Sequence, residues 1–328
     1  MLSRDADSCY WIGRYVERAE AMARMVDVQF HAGLETVLPA ADNSGEAEIN
    51  AFRWQSLLAI SGSADAYRRR YEGENDRDVL YFFAFDLDHP NSILSTWKRA
   101  RENARSIREQ IASEMWESLN ISYLQFREWD VDRVLAGTPH TFFAMVKNAS
   151  HLFQGILNRT MMMGETRDWL DTGRFLERAG QTARLLDVKY HDLLPAYNGL
   201  SNGNGDSMDM HGWIAALKSV SAFEMYRKTH QDGIKPAHVV EFLVLNAQFP
   251  ASVRHGIGRV EACLRRISGN HSEEPITEPE RLVGRLRADL TFSRPEEIIR
   301  DGLHDFLDSV QRGCSDVGNA ITRTYLSY

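Results

Sequence analysis

Along the N-terminal stretch, apolar residues recur at intervals of three and four, as Ile12, Val16, Ala19, Ala23, Val26 and Phe30. That spacing places them in one stripe along a helix of 3.6 residues per turn. Half a chain later Leu176, Ala179, Ala183, Leu186 and Tyr190 repeat the stripe. The same periodicity predicts further helices over 46–72, 91–128 and 139–165, with counterparts over 210–230, 251–268 and 295–325. Alternating runs of Val, Ile and Thr are scarce, so the fold class expected is all-α. Pro90 and Pro250 are read as helix starts, because proline fits a first turn but not a helix interior. Residues 195–212 and 269–277, rich in Gly, Asn and Ser or in Pro and Glu, are read as linkers. The 139–165 helix is expected to run unbroken into the GETRDW junction, so that both halves share one core.

Residues 13–31 (GRYVERAEAMARMVDVQFH) lie against residues 173–191 (GRFLERAGQTARLLDVKYH) without a gap, and ten of nineteen positions are identical. Composition alone gives about one identity over such a length. The match continues through Trp54 with Trp213, Tyr67-Arg68 with Tyr226-Arg227, Pro90 with Pro250, Ser92 with Ser252, His140 with His304, and Arg159-Thr160 with Arg323-Thr324. The expected architecture is therefore a helical bundle of two tandem, pseudo-symmetric repeats of about 160 residues, 1–163 and 164–328.

The polar face of the first helix repeats as faithfully as its core. Glu17, Arg24 and His31 fall with Gly13 in one narrow sector, flanked by Arg14, Asp27 and Arg18. All are identical in the second copy, as Gly173, Arg174, Glu177, Arg178, Arg184, Asp187 and His191. Solvated charges diverge freely after a duplication, so this face has a job. A structural job is ion pairing: Arg14 with Glu17 and Arg24 with Asp27 at i,i+3, holding helices in register. A binding job is the capture of an anionic or carboxylate-bearing group by arginine. A catalytic job would give Glu17 and Glu177 acid–base or metal-assisted work on a peptide-like amide. A second group, Arg101, Glu102 and Arg105 in RENARSIR, survives in the other half only at Arg265, which makes the N-terminal half the better equipped. The run 68–70, three arginines, reads as a wet surface that an acidic partner could meet.

Composition narrows the classes. A formal net charge of −8 and a pI near 5.8 argue against a general binder of nucleic acid or anionic membrane. Three cysteines, Cys9, Cys263 and Cys314, show neither CxxC spacing nor an even count, so no disulfide framework and no metal site is expected. Apolar runs are too short to span a bilayer and Asp5 and Asp7 interrupt any secretory leader, which fits a cytoplasmic protein. No phosphate-binding glycine loop and no GxSxG elbow occurs, so an independent ATP-using or hydrolytic enzyme is not expected, and no cofactor is called for.

With MLSRDADSCYWIGRYVERAEAMARMVDV at its start, ERAGQTARLLDV half a chain later and RENARSIR between, the sequence resembles the bacterial Alpha-E family over its whole length. The family's Glu-Arg motif maps to Glu17-Arg18 and Glu177-Arg178. The resemblance implies a duplicated helical domain encoded beside circularly permuted ATP-grasp ligases and transglutaminase-like proteins. The function it implies is an accessory or co-catalytic role in peptide synthesis or modification, with such a ligase or its carboxylate-bearing substrate as partner. The catalytic reading of Glu17 and Glu177, and a purely structural scaffold, stand as alternatives.

Overall fold

The computed structural model describes residues 1–35, 54–199, 205–272 and 274–327, with side chains placed at 1–30, 54–188, 212–272 and 274–327. Every regular element among them is helical, as the periodicity predicts. Helix α1 (Ser3–Glu35) is followed by α2 (54–60), α3 (Ala64–Arg68), α4 (Asp76–Ala84), α5 (Ile93–Ser106), α6 (Ser113–Phe126), α7 (Val131–Ala136) and α8 (Pro139–Thr160). Then come α9 (Glu165–Gly199), α10 (Gly205–Ser219), α11 (Phe223–Thr229), α12 (Pro236–Val240), α13 (Val253–Ser268), α14 (Glu278–Phe292), α15 (Pro295–Asp301) and α16 (Leu303–Ile321). Single π-helical turns close α12 at Glu241–Leu245 and α16 at Thr322–Leu326.

The two long helices α1 and α9 form the centre. Helix α1 packs on α9, α5 and α8, while α9 packs on α1, α13 and α16. Tyr10 meets Gly173, Gly13 meets Arg174 and Glu17 meets Arg178, so contacts advance together and the helices run in the same direction. Two glycines set the closeness of this packing. A methyl group on Gly13 would lie 2.1 Å from the carbonyl oxygen of Leu170, and one on Gly173 would lie 2.0 Å from that of Tyr10. Only glycine lets two helical backbones approach this far, which is why both positions lack a side chain.

Below the crossing, the stripes read from the sequence are buried: Ile12, Val16, Ala19, Ala23 and Val26 on α1, and Leu176, Ala179, Ala183 and Leu186 on α9. Phe30 packs at the edge of that core, and the Tyr190 side chain lies outside the described residues. Buried Trp97 on α5 donates its indole N–H to the carbonyl of Leu119 on α6, 3.1 Å away, so an apolar ring carries a satisfied polar edge into the core.

Several boundaries differ from the sequence reading for local reasons. The 91–128 helix is two helices, because the chain turns at 107–112 to fold α6 back on α5. The 46–72 and 210–230 helices also break, at 61–63 and 220–222, and residues 46–53 lie outside the described set. Helix α8 stops at Thr160, and α9 starts afresh at Glu165, so no continuous helix crosses the junction. Pro90 and Pro250 stand three residues ahead of their helices. The starts are made by Ser92 and Ser252, whose hydroxyls accept the backbone N–H of Ser95 and His255 at 3.1 and 3.3 Å. Of the 195–212 linker, 195–199 continue α9 and 205–212 begin α10; residues 200–204 lie outside the described set. The 269–277 linker holds: left-handed Gly269 ends α13, and Thr277 with Glu280 caps α14. Helix α14 has no predicted counterpart, although Val283, Leu286 and Leu290 stand at helical spacing and bury one face.

Candidate functional site

The Glu-Arg motifs of α1 and α9 meet where the two helices pack, and they pair across the interface rather than along a helix. Arg178 grips Glu17 with two parallel bonds, Nε to Oε1 at 2.6 Å and Nη2 to Oε2 at 2.7 Å. Arg18 grips Glu177 in the same way, at 2.7 and 2.9 Å. This fork-on-fork geometry is the strongest form of the contact. The i,i+3 pairs expected from the sequence do not form. Arg14 turns to Glu177 at 2.7 Å, with a second bond to the Tyr10 hydroxyl, and Arg24 pairs backward with Glu20 at 2.6 Å. Asp27 instead takes Lys147 at 2.6 Å and His140 at 3.0 Å from α8. A carboxylate facing a neighbouring helix finds a better-placed cation there than one three residues along its own.

The two carboxylates are buried and unequally served. Glu177 is 4% exposed and accepts from Arg14, Arg18 and Gln181, whereas Glu17, 6% exposed, has Arg178 and a long bond of 3.4 Å from Gln154. Burial opposes the ionised form of Glu177, but the Arg18 and Arg14 charges and the hydrogen bonds from Arg18 and Gln181 outweigh it. Its carboxyl is held well below the ordinary 4.5. Because the folded value is the lower one, this group stabilises the fold fully above pH 4.5 and loses that contribution as the pH falls further. Thermal midpoints measured from pH 6 to pH 2.5 should therefore drop below about pH 4.5, and Glu177→Gln should flatten the drop while lowering the midpoint at pH 6.

Two clefts flank the crossing. The first, about 280 Å³, is lined by Glu17, Glu20, Arg24, His151, Arg178 and Ser221 among others. The second, about 170 Å³, is lined by Arg14, Arg18, Glu177, Arg184, Gln181 and Ser315 among others. In the first, Glu20 neutralises Arg24, whose guanidinium also reaches the His151 ring at 2.9 Å and the Ser221 hydroxyl. In the second, Arg184 meets only Gln311, at 3.4 Å, among the described residues. Asp187 is held by His304 at 2.6 Å and Gln311 at 2.8 Å. That hydrogen bond from His304 raises the histidine's own pKa.

Other candidates stand apart. Arg174, unlike Arg14, serves its own helix, pairing with Asp171 at 2.8 Å and lying 4.3 Å from the Phe175 ring centre. Burial lowers its pKa despite that carboxylate. Arg101, Glu102 and Arg105 line neither cleft: Arg101 bonds Asn120 and Glu102, and Arg105 reaches Glu102 at 3.3 Å. The side chains of His31 and His191 lie outside the described residues. The three arginines at 68–70 are exposed, as expected, and Arg70 also clamps buried Asp86 at 2.5 Å. Tyr10, Glu20, Asn91, Gln154 and Gln181 complete the network and were not picked out from the sequence. Each differs between the matched halves, so a search for identities passes over them.

Cys9, Cys263 and Cys314 are all buried, and burial pushes each thiol up to about 12. A thiol of that kind supplies almost no thiolate near neutrality. Native protein treated with iodoacetamide at pH 8 should stay unmodified by intact-mass measurement, and should take up three groups once unfolded. Among the described residues no cluster of His, Cys, Asp or Glu has metal-binding geometry, and no helix is long and apolar enough to cross a membrane.

The fold and the paired arginines define an all-helical chain whose two Glu-Arg dipeptides meet at its centre. It belongs to the Alpha-E family: the family model, described as a predicted alpha-helical domain with a conserved ER motif, matches residues 1–326. Similar proteins are uncharacterized proteins of Mycobacterium bovis and of Mycobacterium tuberculosis strains, 24% identical over an alignment of 342 positions that covers 97% of this chain. The match covers only 36% of each relative, so this chain spans about a third of their length. No solved structure matches the chain.

Proposed function

We propose that this chain is an accessory platform in a bacterial peptide synthesis or modification system, working beside an ATP-grasp amide ligase and presenting that ligase's carboxylate-bearing substrate. The observation that carries the reading is the state of the motif carboxylates. Both oxygens of Glu17 and both of Glu177 are taken by guanidinium from the opposite helix. A general base works best with a pKa near the operating pH, whereas a carboxylate held in an arginine fork is a weak base, and a metal ion there would have to displace the guanidinium. The motif is thus better suited to joining two helices than to chemistry, and the catalytic alternative gains no support from this geometry.

The tandem-repeat reading belongs to the same proposal. Residues 1–163 and 164–328 would be two copies of one unit, each giving its first helix to the central pair. Packing of α1 on α5 and α8, and of α9 on the sequence-matched α13 and α16, supports it. The length of the mycobacterial relatives supports a partner: most of each lies outside the match, as when a domain that acts in trans in one lineage is fused in another. A cytoplasmic location is part of this reading, since an ATP-dependent ligase works where ATP is.

The test is co-purification of the tagged chain with a circularly permuted ATP-grasp protein from the same organism, the partner that the family resemblance implies, followed by ligase assays with and without the chain. Co-elution and a rise in ligation rate on adding the chain are expected. A ligase that is fully active alone and does not co-elute at micromolar concentrations would contradict the proposal.

A further inference from the structure

Two matched positions set the charge difference between the clefts: Glu20 against Gly180, and Arg14, which lines its cleft where the matching Arg174 does not line the other. In the ungapped match of α1 with α9, Glu20 stands against Gly180, while Arg24 stands against Arg184. Glu20 lies four residues before Arg24 and fills that arginine's demand for a carboxylate at 2.6 Å. At Gly180 the carboxylate is absent. Arg184 is left with one long bond to Gln311, and no carboxylate among the described residues lies within ion-pairing distance of it.

The cleft charge follows. Its lining holds Arg14, Arg18 and Arg184 against Glu177 alone, a formal charge of +2, whereas Glu17 and Glu20 balance Arg24 and Arg178 in the other cleft. Among the described residues Arg14 and Arg18 are committed to Glu177, which leaves Arg184 as the lining cation without a carboxylate partner. Neutral hydrogen-bonding groups surround it: Gln181 and Gln311 carry amides, and Ser61 and Ser315 hydroxyls. The backbone also leaves room, since a Cβ on Gly180 would come no closer than 4.0 Å to its nearest neighbour among the described residues, the Cβ of Cys314. A cleft of about 170 Å³ accommodates a group the size of one amino-acid side chain.

We propose that this cleft binds an aliphatic carboxylate of the glutamyl kind, taken by Arg184 in the place that Glu20 occupies beside Arg24. The matched cleft displays the ligand chemistry in cis: a glutamate carboxylate on the corresponding arginine. A guanidinium receives a carboxylate in a planar, two-bond fork, and the neutral groups nearby, whose hydroxyls and amides bond other protein atoms, add no competing charge. This rests on the carboxylate-binding part of the proposed function and assigns it to one cleft and one arginine.

The experiment is isothermal titration of the isolated full chain at low ionic strength, with glutarate and N-acetylglutamate as probes, glutaramide as the uncharged analogue, and inorganic phosphate. Wild type should bind both carboxylates and not glutaramide. Arg184→Gln should weaken binding at least about tenfold by removing the fork. Gly180→Glu should weaken it as much by restoring an internal partner while keeping Arg184, and helical circular dichroism would show both variants folded. Carboxylate binding that survives in both variants, absence of carboxylate binding by wild type, or binding of phosphate in its place would each overturn the proposal. Because the isolated chain is titrated, failure here is separate from failure to engage a ligase, which the co-purification reads.

Discussion

Gly13→Ala should destabilise the protein by at least about 3 kcal/mol, and Gly173→Ala by a similar amount, measured by urea denaturation followed by circular dichroism. The sign makes the result informative. At an ordinary helical position, replacing Gly by Ala stabilises by about 1 kcal/mol. Here the new methyl would stand 2.1 Å from a carbonyl oxygen of Leu170, or 2.0 Å from that of Tyr10, and backbone inside a helix cannot step aside. Helices α1 and α9 must therefore separate along their contact, loosening the apolar stripes on either side. Once one methyl has forced that separation the second meets less resistance, so the double variant should cost less than the sum of the singles. A neutral or stabilising Gly13→Ala would mean that the helices do not approach this closely.

The second large effect is expected at Glu177. Replacing it with Ala removes the counter-charge of two arginines, Arg14 and Arg18, 23% and 16% exposed in their side chains, and leaves both beside an apolar core. Stranding buried charge costs about 3–5 kcal/mol. Glu17→Ala strands only Arg178, so its cost should sit at the lower end of that range and below that of Glu177→Ala. If the two substitutions cost the same, or if either costs under about 1 kcal/mol, the ion pairs are weaker than their burial implies.

Much of this arrangement was legible in the sequence, for reasons that mark where legibility stops. The core stripes of α1 and α9 were readable because burial is a property of one helix face, and periodicity records faces. The importance of Glu17, Arg18, Glu177 and Arg178 was readable because they stay identical between two halves of one chain. Their pairing was not. The residues Arg14 and Glu17 are spaced for an intrahelical bond, yet the crossing glycines bring Glu177 to Arg14 instead, and nothing local in either helix announces that distance. Gly13 and Gly173 themselves fell in the polar sector and read as part of a charged face, though their role is to admit a backbone. Helix α14 shows its signal locally, in Val283, Leu286 and Leu290 at helical spacing and in the Thr277–Glu280 cap, but it has no matched partner in the first half to draw attention to it. The Arg184 cleft was hidden for a related reason: it depends on a difference, Gly180 against Glu20, where the search looked for identities.

If the Glu-Arg motif joins the two central helices, a double-mutant cycle on Glu17 and Arg178 must show coupling between them. Glu17→Ala, Arg178→Ala and the pair would each be unfolded in urea at pH 7. A coupling of at least about 2 kcal/mol is expected, with the double variant more stable than the sum of the singles implies, because removing both partners leaves no stranded charge. A coupling under about 0.5 kcal/mol would contradict it, showing that Glu17 and Arg178 act independently and that the motif must have some other use.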